Sequence, residues 1–124
     1  MQKFILYWVP VFIYCSLIYI QSSYPAPESV PQLPCIDKVL HLAVYAVLGA
    51  LFCRALKTLP IKNNIKLVVI LAIILSSLYG ISDEIHQHFV PCRNADVMDV
   101  LADILGSILG VYLYQSIVKK NCRL

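Results

Sequence analysis

Charge is scarce in this chain: 14% of its 124 residues are charged and 60% are hydrophobic. A soluble domain of that size carries about 25% charge. A water-soluble globule is therefore excluded, and most of the apolar residues must face lipid. No internal repeat and no low-complexity segment is present. No serine stands beside a base as an activated nucleophile would. Ser76 and Ser77 fall inside an apolar run, where they are expected to bond backbone within their own helix. The first apolar run has no small-x-small cleavage site after it, and Tyr14 before Cys15 breaks a lipobox. That run is expected to stay as a span, not to be removed as a signal peptide.

Four apolar runs remain, at about 4–20, 39–56, 65–82 and 97–118. The shortest, Phe4 to Ile20, is about 25 Å long as a helix, close to the minimum for crossing a bilayer. The expected fold is all-α: a polytopic membrane protein with four transmembrane helices, forming one domain over 1–124. Lys57 to Lys66 is a polar link with Pro60 and Asn63-Asn64. Gln21 to Ile36 carries Pro25, Pro27, Pro31 and Pro34. That density favours extended backbone, which must lie outside the hydrocarbon or be covered by protein. Tyr7 and Trp8 near one end of the first span, and Tyr19 and Tyr24 near the other, suit interfacial aromatic belts.

With the spans placed, the charges sort by sign. Lys3, Arg54, Lys57, Lys62, Lys66, Lys119, Lys120 and Arg123 fall on one side with no acid, giving +8. Glu28, Asp37, Asp83, Glu84, Asp96, Asp99 and Asp103 fall on the other with only Lys38 and Arg93, giving −5. Basic loops stay in the cytoplasm, so both termini are expected inside and the acidic end outside. The basic excess is topological and implies no nucleic-acid partner. Of five cysteines, Cys35 and Cys92 share the acidic side. A bridge between them is conceivable in an oxidising compartment, but two loop cysteines are expected to be unpaired.

The polar residues of the spans form stripes. Asp37, His41 and Tyr45 recur four apart on the second span; Ser76, Gly80, Asp83 and Gln87 share a face of the third, with Glu84 and His88 beside it. Asp96, Asp99, Asp103, Gly106 and Gly110 follow one face of the fourth. A charged side chain at mid-membrane costs roughly 2.5 to 3.5 kcal/mol. Several of them facing lipid would exceed what a short apolar helix gains, so the stripes must face one another. They would enclose an outward-open polar pocket with Arg93 and Lys38 at its rim. Asp37 is expected to cap the second span and Asp96 the fourth. Gly49, Gly80, Gly106 and Gly110 are expected to let helices approach closely.

Asp37-Lys38 with His41 and Tyr45, then Asp83-Glu84-x-x-Gln87-x-Phe89-x-Pro91-x-Arg93, then Asp96-x-x-Asp99, Gly106 and Gly110, resembles the VanZ-like family of small bacterial membrane proteins. The shared motifs run from 37 to 110. The resemblance implies a place in the bacterial cytoplasmic membrane, a role at the cell envelope and reduced susceptibility to glycopeptides such as teicoplanin. Two positions depart from the family pattern: Asp103 stands where Asn is usual and Cys92 where Gly is usual.

Three functions fit these features. In the first, the pocket binds or modifies a cell-surface or lipid-linked precursor, with Arg93 as a planar fork for phosphate or carboxylate; the alternative for Arg93 is an ion pair with Asp96 or Glu84. In the second, the protein is an enzyme. Asp83 or Glu84 with Asp99 would serve as acid and base, or His41, Glu84 and His88 would hold a divalent cation. No cofactor is otherwise called for. The third, a proton-coupled transporter, is disfavoured because the basic half of the spans lacks a polar path. The lipid bilayer is a partner in every case, and an oligomer is compatible with each.

Overall fold

The computed structural model describes residues 1–25 and 35–122. Glu28, Arg123 and the prolines Pro27, Pro31 and Pro34 lie outside the described residues. Four helices follow one another: α1 (Gln2–Ser22), α2 (Ile36–Leu56), α3 (Ile65–His88) and α4 (Val97–Asn121). All four are long and apolar enough to cross a membrane. A short 3-10 turn, Pro60–Asn63, sits in the basic link between α2 and α3.

The caps explain where the helices begin. Asn64 starts α3 by accepting the Leu67 N–H at 3.1 Å, and Asp96 starts α4 by accepting the Met98 N–H at 2.9 Å. Asp37 does not cap α2. The helix begins at Ile36 after Cys35, whose φ of 74° is left-handed, and no side chain bonds the first turn. Asp37 therefore lies inside that turn, where its charge still favours the helix N-terminus. Helix α3 runs to His88, six residues past the end of the apolar run at 82. Its acidic residues turn inward and find partners, so the helix need not stop where the apolar run does.

Helices α2 and α4 share the largest interface, and α1 packs on the outside against α2 and α3. The reason lies in the glycines. A methyl at Gly106 would run into the Leu42 carbonyl, and one at Gly110 into the Ala46 carbonyl. Only a bare Cα allows backbones this close, as in other small-residue contacts between membrane helices. The half toward the basic end has an apolar core of Cys53, Leu56, Val68, Ala72 and Val111. Outward faces carry exposed Phe12, Ile13, Leu17, Ile70, Leu105, Leu109 and Leu113, as lipid-facing surfaces do.

The basic end is closed by its own contacts. Trp8 Nε1 donates to Thr58 Oγ1 at 3.2 Å, and the Arg54 guanidinium lies 4.4 Å from the Tyr7 ring centre. Both aromatics placed at that end as interfacial anchors thus also contact protein.

Candidate polar site at the acidic end

The other half of the α2–α3–α4 interface is polar. Asp83, Glu84 and Gln87 of α3 and Asp99 and Asp103 of α4 are buried, and Tyr45 of α2 lies among them. Each carboxylate has a distinct set of neighbours. Tyr45 Oη and Gln87 Nε2 both donate to Asp83 Oδ2 at 3.2 Å. Lys38 Nζ donates to Asp96 Oδ2 at 2.9 Å and to Asp99 Oδ1 at 3.2 Å. That pair ties the start of α2 to the start of α4. The Lys38 ammonium, then the Met98 N–H, hold the Asp96 carboxyl below the usual aspartate range.

Deeper in, His41 Nδ1 lies 2.9 Å from Asp103 Oδ1 and 3.7 Å from Glu84 Oε1. The backbone N–H of Asp96 donates to Glu84 Oε2 at 3.3 Å. The remaining oxygens, Glu84 Oε1 and Asp103 Oδ2, are buried without a hydrogen-bond partner among the described residues. Below them Ser107 Oγ lies 2.8 Å from Ser76 Oγ and 2.7 Å from the Asp103 carbonyl, and Ser76 donates to the Tyr45 carbonyl at 3.4 Å. Ser76 therefore bonds across helices and not within its own.

Beside this cluster is a cavity of about 100 Å³, lined by Asp37, His41, Tyr45, Asp83, Gln87 and Arg93, and closed on one side by Ile18, Gln21 and Ser22 of α1. The contribution of α1 has no counterpart in its sequence pattern, which shows no polar stripe. Arg93 reaches neither Asp96 nor Glu84. Its Nε donates to the Tyr24 carbonyl at 3.0 Å, and its terminal nitrogens meet no carboxylate among the described residues. The turn that presents it has the Val90 carbonyl accepting from the Arg93 N–H at 3.2 Å, with Cys92 at φ 63°. Pro91 followed by a left-handed residue is the type II pattern, which favours Gly at the Cys92 position. This accounts for the usual Gly noted there.

His88 does not join the cluster. It is exposed at the last position of α3, with its ring edge-on to Phe89 at 5.5 Å. Helical spacing from Glu84 put it on the right face but one turn too far out. His86 is also apart: its Nε2 lies 3.0 Å from Ser23 Oγ, and its ring stacks on Tyr19. Cys35 and Cys92 are both exposed and free.

A family model described as VanZ/LLP1 matches residues 4–119. The chain belongs to the VanZ/LLP1 family. Comparison with curated proteins and with solved structures found no match. The match extends beyond the motifs between 37 and 110 to nearly all of α1 and nearly all of α4, so it covers almost the whole length of the four helices around the polar site.

Proposed function

We propose that this VanZ/LLP1 protein lies in the bacterial cytoplasmic membrane with both termini inside, and that its acidic end takes the head group of a cell-surface or lipid-linked precursor. The observation that carries the reading is Arg93. It lines the cavity, its terminal nitrogens meet no carboxylate among the described residues, and Asp83 on the same wall is already bonded by Tyr45 and Gln87. A guanidinium in that state suits a phosphate or carboxylate gripped by two bonds. Asp37 on the same wall suits the hydroxyls or amines of the rest of a head group. The apolar core toward the basic end supports binding at one face over a transport path.

A second reading is supported by Glu84, whose buried Oε1 is unengaged 3.7 Å from His41 Nδ1. A carboxyl and an imidazole so placed suit acid–base chemistry on a bound precursor. The test for the family-linked role is glycopeptide susceptibility in a Gram-positive host, comparing wild type, Arg93→Ala and Glu84→Gln at matched expression. Protection by wild type, lost in Arg93→Ala, is the expected result. Equal protection by Arg93→Ala, or none by wild type, overturns the precursor reading for this chain.

A further inference from the structure

The cluster of His41, Glu84 and Asp103 has a feature that precursor binding leaves unused. Two carboxylates from different helices are brought together beside one imidazole, with side-chain exposures of 5%, 0% and 12% for Glu84, Asp103 and His41. The nearest lysine, Lys38, is held by Asp96 and Asp99. Each of the two carboxylates keeps a buried oxygen with no donor, Oε1 of Glu84 and Oδ2 of Asp103. Buried carboxylate oxygens without donors or cations are costly. A cation beside Glu84 Oε1 would offset that cost.

We infer that His41, Glu84 and Asp103 form a site for one divalent transition-metal ion, of the class of Zn²⁺ or Mn²⁺. Donor chemistry points to that class: one imidazole nitrogen with two carboxylate oxygens suits zinc, manganese or ferrous iron better than calcium or magnesium. Spacing agrees. Two ligand atoms each about 2.1 Å from a metal stand about 3.0 to 3.4 Å apart in octahedral or tetrahedral geometry. The Nδ1–Oδ1 and Nδ1–Oε1 distances are 2.9 and 3.7 Å, and one donor atom from each of the three side chains lies within 4.8 Å of the others.

The surroundings hold the ligands in place. The Asp96 N–H fixes Glu84 through its other oxygen, Oε2, which orients a ligand as outer partners do in metal sites. Asp103 is seated against Gly80, where a methyl would meet Asp103 Cβ and Oδ2 at 2.8 Å. A second trio, Asp37, His41 and Asp99, also has suitable atoms within 4.8 Å, but its Asp99 carboxylate already accepts from Lys38 through Oδ1. The inner trio is therefore the site. Three protein ligands leave a coordination position open for water or a ligand atom, as in catalytic sites. His41 also lines the cavity, which gives the ion a way in from the head-group side.

The test needs no precursor, so it stands apart from the reading above. The full chain is purified in detergent, freed of any polyhistidine tag, stripped with chelator and titrated calorimetrically with Zn²⁺ and with Mn²⁺. One ion per chain is expected. Asp103→Asn and Glu84→Gln, both isosteric, each weaken binding by about 10-fold or more, whereas Asp37→Asn stays close to wild type. No saturable binding overturns the site. So does a loss in Asp37→Asn with Asp103→Asn unchanged. Should either isosteric variant misfold, Co²⁺ added to wild type decides. A visible ligand-field band of a nitrogen–oxygen site supports the inference, and the spectrum of free aqueous Co²⁺ refutes it.

Discussion

Gly110→Ala on α4 is the substitution whose consequences the packing specifies most fully. The added methyl would overlap the Ala46 carbonyl of α2, and a helix carbonyl cannot rotate aside as a side chain can. Gly49, which faces the opposite way across the same interface, gives a measure of the displacement required. A methyl there would stand 2.7 Å from the Ser107 carbonyl oxygen, and ordinary contact begins at 3.4 Å, so the helices would part by at least the difference, 0.7 Å. The overlap at Gly110 is larger. The same interface carries the His41–Asp103 contact at 2.9 Å and the Lys38–Asp99 contact at 3.2 Å. Lengthening the first by 0.7 Å gives 3.6 Å, outside hydrogen-bond range. Overpacking of this kind costs about 1 to 3 kcal/mol, and loss of the buried polar contacts adds to it. Unfolding in mixed micelles by SDS titration, followed by circular dichroism, should show Gly110→Ala less stable by about 2 kcal/mol or more. A loss below about 0.5 kcal/mol, the range of ordinary surface substitutions, would refute backbone-to-backbone packing at this position.

Other consequences are open to the same titration. Cys92→Gly should raise stability by up to about 1 kcal/mol, because glycine occupies a left-handed φ without the strain of a Cβ; a loss would contradict the turn. Tyr45→Phe removes one of two donors to the buried Asp83 oxygen and should cost about 1 kcal/mol, and unchanged stability would deny that bond. Asp96 contributes with a definite pH sign. Its native carboxyl titrates below its ordinary value, so its contribution is complete well above about pH 4 and fades as the pH falls through the lowered native value. Asp96→Asn keeps an N-cap and should lose part of the wild-type decline in stability on acidification; an identical decline would show that the Lys38 pair is not responsible.

The spans were legible because the bilayer sets a length and forbids unpaired backbone, so apolar run length alone places helices. That Asp83, Glu84, Asp99 and Asp103 face inward was legible for the same reason, from the cost of charge in lipid. What was not legible depends on partners far apart in the chain. Lys38 meets Asp96 and Asp99, some sixty residues on, and helical spacing says nothing about such pairs. The apolar run of the third span ends at 82, whereas α3 continues to His88, because Asp83 and Glu84 turn inward to partners. Asp37 has the residue type of a cap, but the helix starts one residue before it, after a left-handed Cys35. His88 matched Glu84 by spacing, but the helix ends there. Nothing in the apolar sequence of α1 signalled that Gln21 and Ser22 close the cavity. The Gly usual at the Cys92 position was a signal, and its meaning became clear only with the turn.

Only a polar end that faces outward can meet a precursor at the outer face, and the native cysteines report which way it faces. Cys35 and Cys92 are exposed at the acidic end and Cys122 is exposed at the basic end. Variants retaining Cys92 alone or Cys122 alone would be treated in intact bacteria with a maleimide that cannot cross the membrane. Cys92 is expected to be labelled in intact cells and Cys122 only after lysis. Labelling of Cys122 in intact cells, with Cys92 protected until lysis, would put the polar site in the cytoplasm and contradict binding of a precursor at the outer face.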